Sequence, residues 1–256
     1  MSVIPDNPQV PAADQTLRVL SYLAHQRGPV AARTISEQLG IPRSSVYHLL
    51  AAMARHGFVV HLPTERRWGL GTAAFELAGG YARQQPLARL GRPLIAGLSD
   101  RAGESAHLAV MTGRDVLYIV EERAPRRPAL VTDVGVRLPA HLTATGRAML
   151  ALLPREQVRA LYPDAGAFAD RTGRGPTRPR ELRELLREVR RRGHASEDGE
   201  VTLGLRSIGV AVHDHTGWPA AAIAITWPLE SPVDPVVMAG LAADAAAELS
   251  RRIGHR

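Results

Sequence analysis

Two stretches carry residues able to do chemistry on a partner, and they are of different kinds. In "IPRSSVYHLL", Ile41 to Leu50, a proline, an arginine and two serines precede an apolar helical stripe, with a tyrosine and a histidine off the stripe. In "HLTATGRAML", His141 to Leu150, a run of small and hydroxyl residues leads into a second apolar helix. The first pattern presents hydrogen-bonding side chains on the outer face of a helix: Arg43, Ser44, Ser45, Tyr47 and His48 point away from the stripe Val46, Leu49, Leu50 and Met53. Hydroxyls and amides at a helix start suit phosphate oxygens, while Tyr47 and His48 reach for base edges or phosphates. The second pattern puts the backbone amides of Ala144, Thr145 and Gly146 where a helix dipole favours an anion, with side chains small enough for a ligand to approach.

Enzymatic chemistry is weakly represented. His213 and His215 alternate across Asp214, a bare metal pair with no third ligand nearby in sequence, and no metal is expected. His107 and His141 lack a nucleophile elbow, and neither a phosphate-cradling GxxxxGK[ST] nor a GxGxxG loop occurs. No cysteine is present, which removes disulfides and thiolate catalysis. No cofactor is expected.

Helices and a hairpin must position the first set. Asp14 to Gln26 carries apolar residues at helical spacing and stops at Gly28-Pro29; Ala32 to Leu39 is a short helix before Gly40; a third helix opens near Pro42 and runs to Arg55, closed by Gly57. The connection "GIP" is the tight turn of a helix-turn-helix. "FVVHL" and "RRWGLG" flank "PTE", a hairpin with Arg66 and Arg67 near its tip. Three helices and a basic hairpin make a winged helix-turn-helix, with the third helix aimed at a major groove of double-stranded DNA.

Downstream, "AAFELAGGYARQQ" and "PLARLGRPLIAGLSDRAGE" read as linking helices, with Gly79-Gly80 and Pro86 as a hinge. From Ser105 the texture becomes strands: a hairpin about "TGRD", another about "HTG", and amphipathic helices opening at Thr177–Pro179 and at Asp234-Pro235. The expected fold is α+β in two domains: a flexible tail at 1–13, the winged head at 14–74, linker helices at 75–102, and a domain at 103–256 with an antiparallel sheet.

Composition fits without deciding. The chain has 256 residues, 45% of them hydrophobic, and a formal charge of +7. Residues 1–80 hold only two more arginines than acids, so bulk charge does not locate a DNA face. The densest basic block, Arg171 to Gly193, reads as a solvated face in which Glu181, Glu184 and Glu188 pair with neighbouring arginines. The longest apolar run, Ala220 to Trp227, is far short of the roughly 20 residues that span a bilayer. With no secretory pattern at the start, a cytoplasmic protein with no membrane partner is expected.

Over nearly its whole length the chain resembles the IclR-type family of bacterial transcriptional regulators. The likeness rests on "TLRVLSYL" and "GIPRSSVYHLLAAMARHGFV", on "GVRLPAHLTATGRAMLALLP", and on "RRRGHASEDGEVTLGLRSIGVAVHDHTGWPAAAIAIT". Pro139, His141, Thr143 and Gly146 fall in the family's order. The resemblance implies a GAF-like C-terminal domain that binds a small-molecule effector, in a homodimer or dimer of dimers. It also implies that Leu130, Glu197, Ser207, Ala224 and Thr226 complete the pocket, with Leu138 and Ile208 joining Leu130 as apolar walls. The implied function is a DNA-binding regulator whose operator affinity responds to an effector, a carboxylic or aromatic acid. Two alternatives remain: a small-molecule-processing enzyme with an N-terminal assembly module, and a constitutive DNA binder whose C-terminal domain only oligomerises.

Overall fold

The structure, a computed structural model, describes residues 10–26, 28–77, 86–125, 127 and 132–254. The chain divides into two compact units, 1–84 and 85–256.

In the first unit, α1 (Pro11–Ala24), α2 (Ala32–Leu39) and α3 (Arg43–Arg55) precede a hairpin of β1 (Val59–Leu62) and β2 (Arg67–Leu70). Helix α1 begins at Pro11, inside the expected tail, because proline at the first helical position forfeits no hydrogen bond. Residues 1–9 lie outside the described residues. Helix α2 has Ala31 at its N-cap with no side-chain hydrogen bond, and ends at Gly40 in the left-handed region (φ 64°). Arg18 Nη2 donates to the Leu39 carbonyl (2.7 Å) and Ser36 Oγ donates to the Ile41 carbonyl (2.7 Å), which fixes the turn between α2 and α3. Val19, Ile35, Val46 and Leu50 are fully buried in one core with Met53, Val59 and Trp68. Trp68 also bridges to Val30 through two backbone hydrogen bonds of 2.8 Å, so the hairpin is pinned to the α1–α2 connection.

Residues 72–77 are helical. The expected hinge glycines, Gly79 and Gly80, lie outside the described residues. The second expected linker segment forms α4 (Pro86–Ala102), which belongs to the second unit because Ile95 and Leu98 are fully buried in that unit's core.

The second unit is built on an antiparallel sheet of order β5-β4-β3-β8-β7-β6. Its strands are β3 (Ser105–Thr112), β4 (Asp115–Glu122), β5 (Arg137–Pro139), β6 (Ala195–Asp198), β7 (Leu205–His213) and β8 (Pro219–Pro228). Helices α4 and α8 (Pro235–Arg252) bury one sheet face; α5 (Ala144–Leu152), α6 (Arg155–Leu161) and α7 (Pro179–Arg192) bury the other. Strand alternation sorts the side chains: Ile208, Val212, Ile223 and Ile225 point to α4 and α8, whereas Ala211 and Ala222 point to α5–α7. A bulge breaks the β3–β4 register between Leu108 and Ala109, pairing Leu108 with Val120 and Ala109 with Tyr118. The extra residue, Ile119, lets Tyr118 face one side and Val120 the other.

Candidate functional site

Helix α3 keeps the outer face its sequence demands. With Val46 and Leu50 fully buried, Arg43, Ser44, Tyr47 and His48 are exposed and Ser45 is half-buried. The Arg43 guanidinium stands 5.9 Å from the centre of the Tyr47 ring, so the two form one cationic, aromatic corner at the helix start. No side-chain hydrogen bond within the described residues engages Ser44, Ser45 or His48. On the wing, Arg66 is exposed and sits in the left-handed region (φ 54°). Arg67 is exposed too, yet its Nη1 donates to the Pro29 carbonyl (3.2 Å), which ties that arginine to the hairpin's anchorage.

The second site is a small cavity at the start of α5. Thr143 caps this helix: its Oγ1 accepts from the Gly146 amide at 3.0 Å. The Gly146 amide is therefore spent on its own cap, and the amides of Ala144 and Thr145 are the ones that precede the first intrahelical bonds. The helix lies hard against the sheet. A Cβ on Gly209 would stand 2.6 Å from the Ala144 carbonyl carbon, and one on Gly146 would stand 2.2 Å from the Ala140 oxygen.

Thr143, Ala144, Thr145, Glu197, Ser207 and Thr226, all read from sequence or resemblance, converge on this cavity, with Ser207 and Thr226 directly opposite each other on paired strands. A chain of hydrogen bonds links them: Ser207 Oγ donates to Glu197 Oε2 (2.9 Å) and lies 2.9 Å from Thr226 Oγ1, while Glu197 Oε1 accepts the Val201 amide (3.0 Å). Burial pushes the Glu197 carboxyl above its usual range, against the pull of its hydrogen bonds to Val201 and Ser207. The void itself is small, about 20 Å³ over the positions a water centre can take, roughly one water's worth.

Other expected pocket residues go elsewhere. Ile208 follows Ser207 along β7, so it faces α4 and α8 across the sheet. Leu138 is buried with α5–α7, paired with Val116 at the far edge. His141 packs edge-on against Tyr162 (5.5 Å) and Phe168 (5.1 Å), with Nε2 3.0 Å from the Ala169 carbonyl. Ala224 sits opposite Gly209 beneath the start of α5 and lines no part of the void. Leu130 lies outside the described residues.

The structure adds wall residues the sequence reading missed: His107, Tyr118, Thr132, Val201, Thr202 and Leu205. His107 stacks edge-on against Tyr118 at 5.1 Å; its Nδ1 and the Thr132 hydroxyl are buried without a hydrogen-bond partner among the described residues. Burial lowers the His107 pKa to about 4, so the ring is neutral near pH 7. Their signal was present in the strand pattern, since His107 and Tyr118 are polar-capable residues at inward positions of apolar strands.

Arg147, one turn into α5, is the frame of the site. Almost wholly buried, it donates to the carbonyls of His141 (2.8 Å) and Ser196 (2.7 Å) and pairs with Glu200 (2.9 Å). That pair holds the loop that carries Val201 and Thr202 to the cavity wall. Among the described residues no group of three or more His, Cys, Asp and Glu is arranged to hold a metal. His213 Nδ1 instead lies 3.2 Å from the Gly217 carbonyl.

A three-helix head with a hairpin wing, together with a sheet domain that encloses a polar cavity, defines a class: winged helix-turn-helix transcriptional regulators with a ligand-binding domain. Two family models match the chain in the same order, the IclR helix-turn-helix domain over residues 12–63 and the bacterial transcriptional regulator IclR C-terminal domain over residues 79–247. The chain belongs to the IclR family of bacterial transcriptional regulators. It is 29% identical over 236 residues to the transcriptional repressor IclR of Escherichia coli, covering 91% of this chain and 86% of that one. An IclR transcriptional regulator from Alicyclobacillus acidocaldarius superposes with a TM-score of 0.84 at 23% identity, over 96% of this chain and 98% of its own. An IclR homologue from Microbacterium hydrocarbonoxydans, solved in complex with 4-hydroxybenzoate, superposes at 0.79 and 22% identity, over 94% and 98%. The chain is thus a DNA-binding regulator and not an enzyme.

Proposed function

We propose that this regulator binds its operator through the outer face of α3 and releases or tightens that grip when a compact carboxylic acid enters the cavity at the start of α5. Arg43, Ser44, Ser45, Tyr47 and His48 enter the major groove, and Arg66 and Arg67 meet the flanking backbone or minor groove. Two or four copies act together on half-sites, in the cytoplasm; no described helix is long and apolar enough to cross a membrane.

The observation that carries the effector reading is the buried polar wall of one void, where Glu197, Ser207 and Thr226 stand with Ala144 and Thr145 of the first turn of α5. Those three satisfy one another, but His107 Nδ1 and the Thr132 hydroxyl on the same wall have no hydrogen-bond partner among the described residues, a costly burial unless a ligand bonds there. A void of about 20 Å³ takes any acid only as its walls retreat, and an acid of a few heavy atoms asks less retreat than an aromatic one.

The test is operator binding by full-length protein with and without a panel of two- to four-carbon acids. Coupling of about 1 to 3 kcal/mol between ligand and operator is expected. Ala144→Trp, which drives a ring from the cavity wall into the void, abolishes the response but leaves operator affinity. An acid that binds this cavity tightly and leaves operator affinity unchanged refutes the switch.

A further inference from the structure

Five arginines line a trough between α6 and α7 that shares no wall residue with the cavity at α5. Its volume, measured as for the effector cavity, is about 340 Å³. Arg155 and Arg159 stand four apart on α6; Arg183, Arg187 and Arg190 stand four and three apart on α7. Val158, Tyr162, Leu182 and Leu186 make the floor between these two rails, and no acidic residue lines the trough.

The basic block was expected to be neutralised along its own helix, and the acids of α7 do pair there. Glu184 takes Arg180 (3.0 Å) and lies 3.8 Å from Arg187; Glu188 takes Arg191 and Arg192. Glu181 turns instead to the Thr177 amide (2.8 Å) at the helix start. Among the described residues this leaves Arg155, Arg159 and Arg183 with no carboxylate within 4.0 Å. Arg190 is held by the Ala151 carbonyl. Burial first, and then the neighbouring Arg155, pull its pKa below the usual arginine range.

We propose that this trough is a binding site for a linear polyphosphate group, carried by a small phosphorylated metabolite. Charge decides against a carboxylate of one charge, which engages a single guanidinium fork and leaves the others facing each other. Spacing decides for a linear anion: arginines four apart on a helix lie about 6 Å from one another, so the rails present positive charge along a line. Tripolyphosphate carries its charge along a line, whereas citrate gathers it at one centre. The floor decides against an acidic amphipathic helix from another protein. Leu182, Leu186 and Tyr162 are each 1% exposed, so they have almost no apolar surface left to bury against such a helix.

The experiment is calorimetric titration of the full chain with inorganic tripolyphosphate, ATP and citrate at moderate salt, for the parent and for two double variants, Arg155→Ser with Arg159→Ser and Arg183→Ser with Arg187→Ser. Circular dichroism and thermal unfolding confirm that each variant is folded. Expected is saturable binding of one tripolyphosphate or ATP per chain, weakened at least about tenfold in each double variant, with citrate weaker than tripolyphosphate and operator affinity unchanged. Any of four results overturns the proposal: no saturable binding, double variants that bind tripolyphosphate as the parent does, citrate binding as tightly, or double variants that lose operator affinity. The last would make the trough a contact for nucleic acid. None of these outcomes depends on which acid fills the cavity at α5.

Discussion

At the scale of single residues, Glu197 is the group through which the site's chemistry is most directly read. Its carboxyl is held above its usual range mainly by burial, so near neutral pH it gains a proton more readily than an exposed glutamate. An anionic ligand beside it raises that tendency further. Acid binding is therefore expected to take up protons and to weaken as pH rises above the ordinary carboxylate range; titration in two buffers of different ionisation enthalpy measures the uptake, and Glu197→Gln abolishes it. Uptake unchanged in that variant would place the titrating group elsewhere. His107 gives a separate prediction for the fold. Its folded pKa of about 4 lies below the unfolded value of 6.5, so between these values the unfolded chain binds more protons and stability falls as pH falls. From pH 7.5 to 5 this group alone removes about 2 kcal/mol. Chemical unfolding of His107→Gln at the two pH values is expected to show a smaller loss by that amount. Which residues face the cavity was partly legible in the chain itself. Thr143, Thr145 and Ser207 were found from hydroxyls at a helix start or from family likeness, but Ser207 and Ile208 are neighbours on one strand and cannot share a face. His107 and Tyr118 were hidden because a strand reading ranks such residues as core until the void beside them is seen.

At the scale of elements, periodicity made most of the frame visible. The α2 span, the opening of α3, the two long hairpins and the Asp234 cap of α8 follow from helical or alternating patterns with glycine and proline punctuation. Short elements were not visible: β5 has three residues, β6 four and α6 seven, too few for a period to declare itself, and tertiary pairing makes them. Nor did sequence distinguish α4 as core from α4 as linker, because Pro93 and Gly91 interrupt its pattern while Ile95 and Leu98 are sealed within the unit. Glycines show how closely the elements are set. Gly209→Ala drives a methyl into the α5 backbone and is expected to cost about 1 to 3 kcal/mol, with loss of ligand binding. Gly240, inside α8, has open space around its Cβ position, and Gly240→Ala is expected to stabilise by about 0.5 to 1 kcal/mol. Thermal unfolding of the pair separates close packing from helix propensity: equal effects of the same sign would mean that α5 does not rest on Gly209.

At the scale of the whole molecule, the proposed function depends on how two copies of the α3 face are presented to one duplex. A single short helix contacts only a few base pairs, so affinity that discriminates an operator from bulk DNA comes from engaging two half-sites at once. Two heads related by a two-fold axis reach the same side of the duplex only when half-site centres are separated by whole helical turns, about 10 to 10.5 base pairs each. Inserting five base pairs between half-sites turns one of them to the opposite side and is expected to reduce affinity to that of a single half-site. Inserting ten restores the facing and, within the reach of the assembly, much of the affinity. Arg43→Ala lowers binding to every spacing and reduces the salt dependence by about one counterion, if its guanidinium meets phosphate. Gel-shift titration of the three spacings at two salt concentrations measures both effects. Equal affinity for the parent and the five-base-pair insertion would mean that each head binds alone, and the effector would then act on the α3 face itself and not on the spacing between two of them.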